Sequence, residues 1–461
     1  MFIPRCQSAR RLLFGLLFGA SLFIILGLGQ ANFSPFRTAA IAQDISAEQW
    51  MQRGVDHYQT GSIEEAITDW QSALTLYQAN HALEQVAVTL ENLARGYQAL
   101  GQTRMELDYW QRADSIYQQL GNKLRIGRVL MEQAQTYSRM GQYGRAITIL
   151  CSEPDEVAQI CHTESALGIV RSLPERDRVG EVVAYGSLGD AYRLRGEPER
   201  ALEYLEQGLR IARELQEPVY LISTLNSLGN THLSLAQLNY RRALSAQQIE
   251  EAKEATTFEL KAQEQDAKAL EYLEESFALA QANADRAAQL RALISTLPIY
   301  YRSENREQNA QILQQAIILA ESLPYSQEQV YALIDLAKFV QLRPSASTMS
   351  TGQHCISLVV EPQAQQLLEQ AIISAQQISD RRAESFALGA LGHLYECQKD
   401  YDRALALTRQ AQISADQALQ IRDSLYLWQW QTGRIFRAQG QAEQAIEAYE
   451  QSLATLDALR K

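Results

Sequence analysis

The sequence predicts an all-α chain, a solenoid of about nine stacked helix hairpins. Three observations predict it. A short pattern returns at a step of 40 residues: Gly54, Ala94 and Ala134 hold one small-residue position, Gly189 and Gly229 repeat the step, and Gly392 and Gly433 lie 41 apart. A fixed period of this length marks a stacked helical array. Leu, Ala, Gln and Glu dominate the composition, which favours helix. No convincing run of alternating apolar and polar β-branched residues follows the first 45 residues, which argues against a sheet.

Counting each unit from its first helical residue puts that small residue at position 8. Position 11 is aromatic in most units, as in Tyr97, Tyr137, Tyr192, Tyr301, Tyr395 and Phe436, with His57 and His232 in two others. Position 15 is Gly61, Gly101, Gly141, Gly196 and Gly440. Position 20 is Ala66, Ala146, Ala201, Ala269, Ala310, Ala364, Ala404 and Ala445, and position 24 is large, as in Trp70, Trp110, Leu205 and Tyr449. A pair of antiparallel helices explains the set. Positions 4, 8 and 11 share one face of the first helix, and 20, 24 and 27 share one face of the second. Glycine at 15 permits the tight turn between them. Small residues at 8 and 20 let the axes approach, and the large ones fill the space around that contact. A single hairpin cannot bury its own apolar face, whereas stacked hairpins share a continuous core.

These residues resemble the tetratricopeptide repeat. Trp50, Gly54, Ala66, Trp70 and Ala73 reproduce most of its signature in the first unit, and Tyr185, Gly189, Tyr192, Gly196 and Ala201 do so in the fourth. The 40-residue unit is longer than the usual 34 and is similar to the long-repeat arrays of kinesin light chains. The resemblance spans about residues 47–461. It implies a right-handed superhelical solenoid whose first helices line a concave, partner-binding face.

Units are expected to begin near 47, 87, 127, 182, 222, 291, 330, 385 and 426. They fall into three blocks: units 1–3 at 47–178, units 4–6 at 182–329 and units 7–9 at 330–461. The second unit has Glu106 where alanine is expected, and the sixth has Pro298 and Gln314 at positions 8 and 24. Three interruptions break the period. One near 151–178 carries Cys151, Cys161 and a short helix from Ser165 to Leu173, ended by Pro174. One from about 240 to 268 reads as an extension of both helices or a charged helical arm. One near 342–363 is a loop by composition, Pro344 to Gly352.

The N-terminus is a separate matter. Arg5, Arg10 and Arg11 precede an apolar, uncharged run from Leu12 to Gly29, and Ala40 and Ala42 offer small residues at a cleavage site. Residues 1–42 therefore read as a secretory signal peptide, with an uncleaved membrane anchor as the rival reading. Removing four arginines with that segment takes the formal charge from −12 to −16. Such acidity argues against nucleic acid and anionic lipid as partners. Four cysteines then remain, an even number that permits two disulfides in an exported chain, Cys151 with Cys161 and Cys355 with Cys397; four free buried thiols are the alternative.

No phosphate-cradling glycine loop, zinc-protease helix or nucleophile elbow is present. His162 and His354 adjoin cysteines, and His393 lies one helical turn from Cys397, but two ligands do not make a metal site. No catalytic residue, cofactor or metal is expected. What the repeat resemblance implies is protein or peptide binding through concave-face positions, here Asp190 and Arg193 of the fourth unit, Asn226 and Asn230 of the fifth and His393 of the eighth. Asparagine amides both donate and accept, which suits a peptide backbone. The Lys, Asn and Arg set of carboxylate-clamp members is missing. A further reading is self-association through Trp428, Trp430 and the last unit. The stretch Ser165–Pro174 and the end from Tyr449 to Lys461 also resemble exported arrays that precede caspase-like CHAT peptidase domains in cyanobacterial proteins. That likeness implies an alternative role as a truncated sensor arm of such a peptidase system.

Overall fold

The computed structural model describes residues 45–152, 161–302, 306–341, 355, 361–417 and 424–460. The expected signal peptide, His354 and the loop Pro344–Gly352 lie outside the described residues. Ile45–Lys461 is one compact unit. It contains nineteen helices and, among the described residues, no strand.

Nine hairpins account for eighteen of the helices. They are α1 (Ala47–Gln59) with α2 (Ile63–Ala79), α3 (Leu83–Ala99) with α4 (Thr103–Leu120), and α5 (Lys123–Arg139) with α6 (Tyr143–Cys151). The short α7 (Ala166–Ser172) follows. Next come α8 (Arg178–Arg195) with α9 (Pro198–Leu215), α10 (Pro218–Gln248) with α11 (Ala252–Ala282), and α12 (Arg286–Arg302) with α13 (Arg306–Ser322). The last three pairs are α14 (Gln327–Gln341) with α15 (Pro362–Gln377), α16 (Arg381–Gln398) with α17 (Tyr401–Gln417), and α18 (Leu425–Ala438) with α19 (Ala442–Arg460).

Each helix packs on its successor in the chain. First helices also touch one another from unit to unit, α8 on α10, α10 on α12, α12 on α14, α14 on α16 and α16 on α18. Neighbours that meet on one side of a stack and not on the other give it an inner, tighter face, and that face belongs to the first helices.

The buried side chains are those the repeat requires. Ala66, Ala146, Ala201, Ala269, Ala364 and Ala404 are fully buried, and so are Trp110, Leu150, Leu205 and Leu273 at position 24. The turn inside a hairpin places Gly61, Gly101, Gly141, Gly196 and Gly440 in the left-handed region, with φ between +67° and +95°. Lys399 takes the same conformation after α16 at φ +64°, where a side chain is strained.

Five first helices, starting at Leu83, Lys123, Arg178, Pro218 and Arg381, begin four residues before the start counted from the repeat pattern. In three of the five a cap accounts for the added turn. Asn122, Asp177 and Asp380 each accept a hydrogen bond from the backbone N–H three residues on, which lets the helix begin there. The sixth unit corrects the sequence register. Ala310 is exposed, and Asn309 takes the buried place, with Ala316 buried two turns further along the same face. In α12, Leu297 and Tyr300 are the buried residues where Pro298 and Tyr301 were expected. The whole unit sits one residue earlier, so every side chain turns about 100°.

The second interruption is a pair of extended helices. α10 and α11 are 31 residues each, against 17 or 18 in most other units. At the root of this arm Arg302 of α12 donates to Asp266 of α11, 2.9 Å from Nε, and Tyr240 of α10 donates to the same carboxylate at 3.0 Å.

Candidate functional site

The five residues expected to meet a partner all lie on first helices. Asp190 and Arg193 stand one turn apart on α8, with Arg193 Nη2 3.3 Å from Asp190 Oδ1. Ser227 of α10 donates to the other oxygen of Asp190 at 3.0 Å, tying α8 to α10. Asn226 and Asn230 follow on α10, both half-buried. Asn226 Oδ1 and Arg193 Nε are shielded from solvent and take no hydrogen bond among the described residues. An unmet buried polar atom costs about 1–3 kcal/mol, so the α8–α10 junction holds unused bonding capacity.

His393 does not join this group. It lies on α16, with the first helices α12 and α14 between it and α10. Its Nδ1 is 3.0 Å from Glu396 Oε2, and Arg434 of α18 grips the same carboxylate with two bonds of 2.9 and 2.8 Å. Cys397 Sγ is 3.6 Å from His393 Nε2. In the structure Cys397 is bonded to Cys355 (Cα–Cα 5.2 Å), and Cys151 to Cys161 (Cα–Cα 4.4 Å). Sulfurs paired in this way are neither nucleophiles nor metal ligands.

Several polar contacts of the first helices were not expected from the sequence. Gln135 of α5 donates to Ser187 of α8 at 3.2 Å. Glu91 of α3, nearly buried, accepts from Tyr117 at 2.6 Å and Arg95 at 3.1 Å, and Arg125 of α5 is 3.5 Å away. Glu91 and Arg95 are an i, i+4 pair, which the sequence does display; the long-range partners are not readable from spacing. Arg95 and Arg125 thus share one carboxylate, as Arg193 is paired with Asp190.

Burial sets the electrostatics. Glu106, 1% exposed, occupies the place of the usual alanine. It accepts from Thr136 at 2.8 Å, from Trp110 at 3.4 Å and from Arg139. Burial pushes its carboxyl above the ordinary range, against the pull of Arg139. Burial also raises Glu132, and it lowers His232, which is stacked on Tyr272 at 5.5 Å and bonded to Gln265 at 2.7 Å. The Tyr204 hydroxyl is pushed up to about 12 by burial and by Tyr192, stacked on it at 5.3 Å. None of these shifts falls on a nucleophile beside a base, which is the arrangement chemistry needs. Among the described residues no three His, Cys, Asp or Glu side chains converge as a metal site, and no helix is long and apolar enough to cross a membrane.

At the far end Trp428 and Trp430 have separate roles. Trp428 is buried against Phe386 and donates to Ser385 at 2.8 Å. Trp430 stays 45% exposed, 4.7 Å from the Tyr449 ring.

A stack of helix hairpins with a polar inner face defines a repeat-array protein. Comparison with known families gives the repeat: residues 162–214 and 387–418 match tetratricopeptide repeat models. Sequence comparison with curated proteins finds no match. Among solved structures, a signal-transduction ATPase with a tetratricopeptide repeat sensor from Pyrococcus horikoshii is similar, at 14% identity and a TM-score of 0.43 over 91% of this chain and 55% of that one. The chain thus spans about half the length of that ATPase. Aspartyl phosphate phosphatase F from Bacillus subtilis is similar at 11% identity and a TM-score of 0.43, over 86% of this chain and 97% of that one. A Rap protein complexed with competence and sporulation factor follows at 14% identity and 0.39, over 81% and 76%.

Proposed function

We propose that the helices between Ala47 and Arg460 form a non-enzymatic interaction scaffold that holds a protein or peptide partner along the inner face of the first helices. Arrays of this kind present extended concave binding surfaces. The observation that carries the placement is the polar cluster on two adjacent first helices, the half-buried Asp190 and Arg193 of α8 beside the half-buried Asn226 and Asn230 of α10. A peptide backbone offers both the acceptors and the donors that such side chains bond. The setting is an exported one, with residues 1–42 removed, and two disulfides suit that oxidising compartment.

A photo-reactive amino acid placed at Asn226, Asn230 or Arg193, and at an outer position such as Glu203 for comparison, tests this in the native exported protein. The expected result is a discrete cross-linked partner from the inner positions alone. Cross-links only from the outer position, or none beyond those of the free array, would overturn the placement.

A further inference from the structure

The second helix of the third unit is broken. α6 has nine residues and α7 has seven, where the other undivided second helices outside the arm have 16 to 19. Both fragments pack on α5 and on α8. Together they fill the place that one second helix fills elsewhere, between the first helix of its own unit and that of the next.

Two links join the fragments. Cys151, the last residue of α6, is bonded to Cys161, and the backbone N–H of His162 donates to the Cys151 carbonyl at 3.0 Å. His162 in turn leads into the cap of α7, through Ser165 Oγ on the His162 carbonyl at 2.6 Å and the Gly168 N–H on Ser165 Oγ at 3.3 Å. α7 is seated in a fitted slot. Ala166, Leu167 and Val170 are fully buried or nearly so. Val170 lies where α5 has Gly127 and α8 has Gly180, and a Cβ on either would stand 2.8 or 3.1 Å from Val170 Cγ1. A seven-residue helix has no stability of its own, so its seat depends on what ties it down.

We propose that the Cys151–Cys161 disulfide is a redox-sensitive splice. It carries the stack across the broken helix, so that reduction turns one cooperative array into two blocks that unfold separately, units 1–3 and units 4–9. In a nearest-neighbour array, cooperativity is transmitted only through the interface between adjacent units. At this junction α6 and α7 supply much of that interface. The reductant is a dithiol. One of its thiolates attacks Cys161 Sγ, forming a mixed disulfide and releasing Cys151 as thiolate. Its second thiol then closes on its own sulfur and releases Cys161. The two cysteine thiolates take up the two protons, and the reductant leaves as its disulfide. Cys151 is 0% and Cys161 6% exposed, so the attack waits for α7 to lift from its slot.

The test uses the full exported chain carrying Cys355→Ser and Cys397→Ser, so that a single disulfide remains. Peptide mapping without reductant first reads the bond. Hydrogen exchange and thermal unfolding are then followed with and without dithiothreitol, and in the further variant Cys151→Ser/Cys161→Ser. The expected result is loss of protection in α7 and the start of α8 on the order of a hundredfold, with one unfolding transition becoming two. Val170→Ala, with the bond intact, should speed reduction on the order of tenfold, because it loosens the slot. Should the double serine variant fail to fold, reduction of the folded protein gives the same readings. A reduced protein that keeps α7 protected and unfolds in one transition would overturn the proposal, as would free thiols at 151 and 161 in the exported protein or a reduction rate indifferent to Val170→Ala.

Discussion

Trp70 is seated directly against Gly54: a Cβ on the glycine would stand 2.5 Å from the indole Cδ1. The same pair recurs as Tyr449 with Gly433, again at 2.5 Å and again 16 residues apart. Position 8 is small in this repeat because position 24 fills the space where its side chain would go. Gly54→Ala should therefore push the Trp70 ring off its seat, where the indole N–H donates to the Met51 carbonyl at 3.3 Å. We expect destabilisation of the first unit by about 1–3 kcal/mol, read by denaturant unfolding and by a shift in tryptophan emission. Unchanged values would mean the two helices have room that the structure denies.

How much of this was legible in the sequence depends on what each residue reports. Gly54, Gly189 and Gly433 report a large side chain seated on the helix backbone, Trp70, Leu205 and Tyr449 in turn, so the 40-residue step gave the hairpins and their number. The sixth unit misled because Tyr301 and Ala310 imitate the pattern one residue late, while the buried residues are Tyr300 and Asn309. Only packing against α14 and its neighbours decides between adjacent residues on a helix. On the inner face, Asp190 and Arg193 could be paired from spacing, but Ser227, which bonds Asp190 from the next unit, could not. Contacts between units depend on the superhelical offset, which no local spacing encodes. The break between α6 and α7 showed as an interruption; that its two pieces fill one helix position is a fact of three dimensions.

The turn after α11 offers a stabilising change. Ala284 is held at φ +55°, and its N–H and that of Asp285 close on the Gln281 and Ala280 carbonyls at 3.1 and 3.0 Å. Gly121 makes the equivalent bonds after α4 at φ +65°. Ala284→Gly removes the clash of Cβ in the left-handed region while adding freedom to the unfolded chain. The net expectation is a gain of about 0.5–1 kcal/mol, measured as a rise in the denaturation midpoint at constant slope.

The arm is anchored by a nearly buried ion pair. Asp266 is 6% exposed and bonded to both Arg302 and Tyr240. Arg302→Ala would leave its carboxylate without a counter-charge in a poorly solvated place. The expected loss is about 3 kcal/mol, with hydrogen exchange quickened first at the root of α10 and α11. Arg302→Lys should recover little of it, since one ammonium cannot copy the two-pronged contact. Full recovery by lysine would show that charge alone holds the arm.

Two carboxylates should give the array opposite responses to pH. Arg53 donates to Asp69 at 2.8 and 2.5 Å, and that bond holds the Asp69 carboxyl below the ordinary range. Its contribution is complete above the ordinary aspartate value and is lost as pH falls through the lowered folded value. Glu106 is the reverse. Burial raises it, so the folded chain keeps its proton after the unfolded chain has released one. Its contribution is complete below the ordinary glutamate value and declines as pH rises toward the raised folded value. Asp69→Asn should accordingly narrow its deficit against the parent protein as pH is lowered. Glu106→Gln, which cannot ionise and keeps an acceptor for Thr136, should gain on the parent as pH is raised from about 4. Urea midpoints of the three proteins at a series of pH values measure both slopes. Parallel curves for Glu106→Gln and the parent would mean that Arg139 fully offsets the burial of the carboxylate.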